Sequence, residues 1–215
     1  MRQSTQQPQL SREAILEGAL AVLEREGVDA LSMRRLAAEL DVGTMTLYGY
    51  FAGKRELLDA LVDLVAARAP MPVLRGSWRQ RITTVMTHLH DALSAYPALA
   101  QLRLSQPIAT PGAFRLTEAG VGALREAGFG ATAAAQHFRT LFVYTFGVAV
   151  FGGGDDPEER RRMAGALASL SPEEYPTLTG QLSEMLGTLD AERQFRHGLE
   201  LILDGIEAGL PAARR

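Results

Sequence analysis

The chain contains no cysteine, and its only lysine is Lys54, against twenty-one arginines. Without cysteine it forms no disulfide, offers no thiolate nucleophile and holds no thiolate-bound metal, a composition compatible with a reducing cytoplasm. Long apolar runs are missing too. None approaches the eighteen or more residues of a membrane-spanning helix, and no secretory signal is expected at the start of the chain. A broad excess of positive charge is also absent: the 215 residues carry 22 basic and 25 acidic side chains, a net charge of −3 with a pI near 5.8. Residues 1–70 hold eight basic and ten acidic side chains. A protein that coats nucleic acid indiscriminately needs a wide basic stripe, so any binding here must rest on a few placed cations. Histidine is sparse and scattered, at His88, His90, His137 and His197. On a helix, His88 and His90 diverge, so they do not make a joint metal site. Asp155-Asp156 and Glu173-Glu174 sit beside proline and read as solvated turns. The triple glycine at 152–154 lacks the strand context and Lys-Ser/Thr of a phosphate loop. No catalytic cluster, metal or cofactor is therefore expected.

What the chain does carry lies over residues 31–58. Ser32 predicts an N-cap opening a helix that bears Arg34 and Arg35. Asp41-Val42-Gly43 predicts a turn, because Asp and Gly tolerate left-handed backbone. A second short helix is expected from Thr44 to Phe51. At about 100° per residue, Leu47 and Phe51 share an inward stripe facing Leu36, Leu40 and Val42. Met45, Thr46 and Gly49 then point outward, with Thr44 and Tyr48 on one flank and Tyr50 on the other. This is the layout of a helix-turn-helix whose second helix enters a major groove about 12 Å wide. Thr44 and Thr46 suit phosphate or base edges, and Met45 suits a thymine methyl. Tyr48 and Tyr50 suit phosphates, and Gly49 removes bulk at the groove. Lys54 opens the next helix, where a cation and free N–H groups suit a phosphate. Taken singly, Arg34, Arg35 and Lys54 are equally consistent with a solvated face and the tyrosines with a rim; it is the ordered pattern that points to DNA.

The remainder reads as helical and without internal repeats. Helices are expected from about Ser11 to Glu26, Lys54 to Arg68, Trp78 to Ala95, Pro111 to Ala127, Ala131 to Phe151 and Asp190 to Leu210, with a loop-rich stretch of short helices between 155 and 188. Ala69-Pro70-Met71-Pro72 is the best domain boundary. Two helices stand out. Phe138 to Phe151 is apolar nearly all round and must be covered on several sides. The last helix carries Phe195, Leu199, Ile202, Leu203, Ile206 and Leu210 at 3–4 spacing. Two such helices from each of two chains make a four-helix interface; the same pattern also fits a core within one chain. Arg160-Arg161-Arg162 reads as an exposed helix face.

Residues 11–70 resemble the N-terminal domain of the TetR family of bacterial transcriptional regulators. The resemblance lies in Leu-Ser-Met-Arg-Arg-Leu-Ala, Thr-Leu-Tyr-Gly-Tyr-Phe and Gly-Lys-Arg-Glu-Leu-Leu. Asp41 departs from the glycine most common there, and Gly49-Tyr50 replaces the commoner aromatic-His pair, so no operator sequence carries over. From Gly-Ser-Trp at 76–78, through Ala-Gly-Phe at 127–129, to Gly-Leu-Glu-Leu-Ile at 198–202, the chain resembles the tetracycline repressor branch. The resemblance implies an all-α protein of the bacterial cytoplasm. A flexible tail (1–10) would precede a helix-turn-helix domain (11–70) and a regulatory domain (71–215) that binds an effector and dimerises. It implies a homodimeric, ligand-responsive repressor of a palindromic double-stranded operator, with Tyr144, Val148, Phe195, Leu199, Ile202, Leu203 and Ile206 pairing the subunits. At the ligand site it departs from the branch. Pro70, Val85, Arg103 and Gly120 stand where the repressor's drug- or magnesium-contacting side chains would be, and Phe151 replaces an acid, so chelated magnesium has no ligands and tetracycline is not expected. An apolar pocket is expected instead, formed by Val85, His88, Leu89, Gly120, Phe138 and Phe142, with Arg103 and Gln106 as its polar groups. Arg103 would suit a carboxylate, phosphate or polarised carbonyl, or else form a salt bridge or lie exposed. Two other readings stay open: a dimeric regulator without an effector or with a protein partner, and a small all-helical enzyme.

Overall fold

The computed structural model of the chain describes residues 10–98, 100, 109–151 and 157–210, and no strand occurs among them. The helices are α1 (Arg12–Glu26), α2 (Met33–Glu39), α3 (Thr44–Tyr48), α4 (Lys54–Arg68), α5 (Trp78–Ala95), α6 (Pro111–Ala127), α7 (Ala131–Phe151), α8 (Pro157–Ala168), α9 (Pro176–Gly180), α10 (Leu182–Gly187) and α11 (Ala191–Ala208). Ser11, Ser32, Ser77 and Asp190 open α1, α2, α5 and α11, each side chain accepting a bond from a first-turn N–H. Such a cap contributes about 1 kcal/mol. At α5 the cap is reciprocal, since Gln80 also accepts from the Ser77 N–H at 2.9 Å. α3 ends at Tyr48, three residues before the expected Phe51. There the Gly49 and Tyr50 N–H groups turn back to the Thr46 and Leu47 carbonyls and tighten the last turn. Asp41 takes φ +52, the left-handed backbone its turn requires.

The chain divides into two compact units, Met1–Pro70 with Gln101–Arg115, and Met71–Ala100 with Leu116–Arg215. The expected regulatory domain runs unbroken from 71 to 215, whereas Gln101–Arg115 counts with the first unit. The local cause is visible at Gly112. Its N–H donates to Asp63 Oδ1 at 3.1 Å, and a Cβ there would come within 2.8 Å of the Ala66 Cβ. Only glycine lets the first turn of α6 lie this close to α4.

The first unit, the head, is built on α1, which packs against both α2 and α4. Ile15, Ala19 and Leu23 of α1 meet Leu31, Leu36, Leu47, Phe51, Leu57 and Leu61 in a fully buried centre. The second unit, the body, is organised by α7, which packs against α5 and α11. Its core joins Ile82, Val85 and Met86 of α5 to Leu124, Phe138, Leu141, Phe195, Leu199 and Leu203. Across this core the His90 ring stacks on Phe195 at 4.1 Å, and Phe195 lies parallel to Tyr144. The Tyr144 hydroxyl donates to the Gln194 carbonyl at 2.6 Å. It occupies the space of a Gly198 side chain: a Cβ there would come within 2.2 Å of that oxygen. Burial of the phenol raises its pKa. At the other end of α11, Arg79 gathers Glu200, Asp204 and Glu207.

Candidate DNA-reading face and regulatory body

α3 is five residues long, too short to be stable alone, so its orientation comes from what it buries. Leu47 and, just beyond the helix, Phe51 are sunk in the head's core. The opposite side carries Met45, 80% exposed, with Thr46, Tyr48 and Gly49 exposed and Thr44 half-buried. An exposed methionine beside a threonine, a tyrosine and a glycine offers apolar contact, hydroxyls and close backbone approach on one surface. Arg34, in α2, and Arg55, in the first turn of α4, are exposed, without an ion pair among the described residues. Arg55 was not among the residues the pattern of 31–58 singled out, because its place in the first turn of α4 gives no sign of which way it faces.

Three of the expected contacts are already engaged elsewhere. Arg35 is a correction. Its Nε and Nη2 donate to Glu26 at 2.9 and 2.7 Å, and Nη2 also to Glu39 at 2.6 Å. Arg25 completes the set, meeting the same two carboxylates at 2.7 and 2.9 Å. Two guanidinium groups between two carboxylates leave no net charge for a phosphate. The network holds Glu26 at a pKa of about 2, chiefly through its bonds from Arg35 and then Arg25. Glu39 is lowered by the same partners, with Arg25 the larger cause. The Tyr50 hydroxyl is likewise committed, donating to the Leu10 carbonyl at 2.6 Å, so it is not free to donate to DNA. Lys54 Nζ donates to the Val28 carbonyl at 3.1 Å. An ammonium has three donors, so two remain for a phosphate.

In the body the expected site residues divide. Val85 has no accessible surface, and a side chain without surface lines no space that a ligand enters. The Phe138 ring stands where a Gly120 side chain would be, with Cε2 at 2.3 Å from the Cβ position. Val85 is therefore core, and Gly120 and Phe138 are packing partners, rather than open wall. His88, Leu89 and Phe142 are half-buried. Arg103 and Gln106 lie outside the described residues. A cavity of about 440 Å³ opens elsewhere, between Val143, Tyr144, Gly147, Val148 and Phe151 of α7 and Thr188, Leu189, Ala191 and Gln194; none of the six expected residues that are described lines it.

Four of the seven expected pairing residues are core within the chain. Phe195, Leu199, Leu203 and Ile206 are all at most 5% exposed within the single chain. The 3–4 stripe of α11 is turned onto α7 and α5, so the core alternative is the one realised. Tyr144, Val148 and Ile202 are half-buried on the rim of the same core. What the two helices leave outside is different: Val143 and Phe151 on α7 and Leu201 on α11.

No described helix is long and apolar enough to cross a membrane, and no group of three metal-ligating side chains assembles among the described residues. Residues 15–61 match the family described as bacterial regulatory proteins, tetR family, and residues 71–210 the tetracyclin repressor-like C-terminal domain. The chain is 31% identical over 221 residues to the HTH-type transcriptional repressor DrrR1 of Streptomyces coeruleorubidus, covering 97% of this chain and 81% of that protein. The fold matches the Streptomyces coelicolor TetR family protein ActR, solved in complex with actinorhodin, at a TM-score of 0.80 and 29% identity, covering 96% of this chain and all of that one. It also matches BioQ, solved with its double-stranded DNA operator, at a TM-score of 0.66 and 27% identity, covering 92% and 98%.

Proposed function

The chain belongs to the tetR family of bacterial regulatory proteins and is a DNA-binding transcriptional regulator; on that premise we propose that it works in the bacterial cytoplasm as a homodimeric repressor released by a small molecule. The observation that carries the reading is the face of α3, where Met45, Thr46, Tyr48 and Gly49 are exposed above buried Leu47. Met45 and Thr46 meet base edges, Thr44 and Tyr48 flank them, and Lys54, Arg34 and Arg55 hold phosphates. Two copies related by a two-fold axis present two such helices to successive major grooves about 34–36 Å apart, which requires an inverted repeat. The dimer forms through the outer sides of α7 and α11, around Val143 and Leu201, since the stripe first expected there is used inside each chain.

The effector reading draws support from the likeness to ActR, which holds actinorhodin. Half-buried His88, Leu89 and Phe142, with Arg103 and Gln106, remain the proposed lining. An effector releases DNA only if it binds the two states with different affinity. A second reading, regulation without an effector, is favoured by the closed packing of Val85 and of Phe138 on Gly120. Selection of duplexes from a randomised pool by the purified protein tests the DNA function. An inverted repeat is expected, and recovery of unrelated sequences sinks it. Thermal shift against a metabolite panel separates the effector readings: a raised midpoint supports the first, and none across the panel supports the second.

A further inference from the structure

The C-terminal end of the reading helix is gripped by a residue thirty-eight positions from Tyr50 that no motif marks. Arg12, in the first turn of α1, sends Nη1 to the Tyr50 carbonyl at 2.7 Å and Nη2 to Glu56 Oε1 at 3.1 Å. Its guanidinium carbon lies 4.1 Å from the centroid of the Phe51 ring. Glu56 in turn accepts from the Ala52 N–H at 2.7 Å through its other oxygen. The Tyr50 hydroxyl reaches back to the Leu10 carbonyl, two residues before Arg12. Four contacts thus converge on Tyr50, Phe51 and Ala52, the three residues that join α3 to the approach to α4, and the Arg12–Glu56 pair ties two of them together.

Two physical considerations separate this cluster from ordinary surface pairing. A cation in the first turn of a helix opposes the helix dipole, so the place is not one that α1 itself favours for arginine. A planar fork is needed to reach a carbonyl and a carboxylate while lying flat on a ring, and arginine alone among the cationic side chains supplies one. Meanwhile α3 has no side-chain cap at its start, where Gly43 stands. Beyond the burial of Leu47 and Phe51, the polar contacts that hold its tilt and rotation therefore lie at its far end.

We infer that Arg12 is a positioning residue for DNA reading: it braces the exit of α3 against α1 and α4, and so fixes the angle at which Met45 and Thr46 meet the bases. This rests on the DNA-reading function proposed above. Because Arg12 is paired with Glu56, it neutralises no phosphate, and its loss has a signature that a phosphate contact does not share.

The test uses the full-length protein, the duplex that wild type selects from a randomised pool, and a scrambled duplex of the same composition. Arg12→Met keeps an unbranched apolar side chain beside Phe51 and removes every donor. Its affinity for the selected duplex is expected to fall about tenfold or more, the scale of one lost base contact, with scrambled-duplex affinity and salt slope unchanged. A salt slope shallower by about one unit, with both affinities falling together, makes Arg12 a phosphate contact and overturns the brace. Unchanged discrimination in a folded Arg12→Met protein also overturns it. If Arg12→Met does not fold, Glu56→Gln, which weakens one arm of the grip, decides: reduced discrimination at constant salt slope supports the brace, and intact discrimination overturns it. A wild type that selects no sequence sinks the DNA-reading function itself, whereas a selective wild type beside an equally selective Arg12→Met sinks the brace alone.

Discussion

The head sinks Leu47 and Phe51 into its centre and turns Met45, Thr46, Tyr48 and Gly49 outward, whereas the body sinks Phe195, Leu199, Leu203 and Ile206 and leaves mainly Leu201 outward on the same helix. Both segments carry an apolar stripe at helical spacing. In the head two anchors suffice, because α3 is one turn and a half long and its neighbours supply the rest of the core. In the body the whole stripe is consumed in holding α11 to α7 and α5. A stripe therefore identifies a buried side; whether that side meets its own chain or another depends on how much core the chain has elsewhere to fill.

The sharpest way to break this comparison is to treat the stripe and the outer side of α11 alike. Phe195→Ala removes a ring stacked on His90 and is expected to cost about 3–5 kcal/mol in chemical denaturation of the body. A loss below about 1 kcal/mol would mean that the ring is not core. Leu201→Asp, one helical face away, is expected to leave each chain folded and to shift sedimentation from dimer to monomer, because a charge is placed in the proposed interface. Retained dimers would move the pairing surface away from α11. Between these two lies Gly198→Ala, whose methyl meets the Tyr144 hydroxyl. It is expected to cost about 1–3 kcal/mol, as overpacking does, with the midpoint of thermal unfolding as the measure.

The head is sharpened by separating reading from gripping. Met45→Ala or Thr46→Ala is expected to relax preference at one base position by about 1–3 kcal/mol while leaving the salt slope in place. Lys54→Ala is expected to weaken binding to every duplex and to flatten the slope by about one unit. Exchange of these two signatures would show that the assigned roles are reversed.

Much of the architecture was legible from local rules. Ser32 announced its helix as a cap, the starts expected at about Ser11 and Asp190 fall on the caps of α1 and α11, the ends of α4, α5, α6 and α7 coincide with Pro, Gly or polar breaks, and Asp41 marked the left-handed turn. These are properties of a few neighbouring residues. What stayed hidden depends on distant ones. Arg12 is forty-four residues from Glu56 and thirty-eight from Tyr50, so no spacing rule joins them. The commitment of Arg35 was half visible, as an i,i+4 pair with Glu39, but Glu26 lies across from it on another helix. The closure of Gly120 by Phe138 required knowing that the ring comes to lie on that glycine. Facing directions followed from periodicity; partners followed only from the fold.

The smallest expected effect concerns the four-charge network that takes Arg35 away from DNA. Glu26 is held at about 2 against an ordinary 4.5, and Glu39 is lowered by the same guanidiniums. A carboxyl whose folded pKa is depressed contributes stability that is fully present above the ordinary value and is lost as pH falls towards the folded one. The network therefore adds nothing pH-dependent near neutrality and weakens between about 4.5 and about 2. These groups are exposed, so salt screens the contribution. Glu26→Gln is expected to flatten the pH dependence of the head's unfolding in that window, and moderate salt to diminish the wild-type dependence in the same direction. The salt slope for DNA at neutral pH should not move with Arg35→Ala, in contrast to Lys54→Ala, because Arg35 already spends its charge on carboxylates. If Arg35→Ala lowered that slope by about one unit, the guanidinium would have to leave Glu26 and Glu39 when DNA arrives, and the head would carry one more phosphate contact than its free form displays.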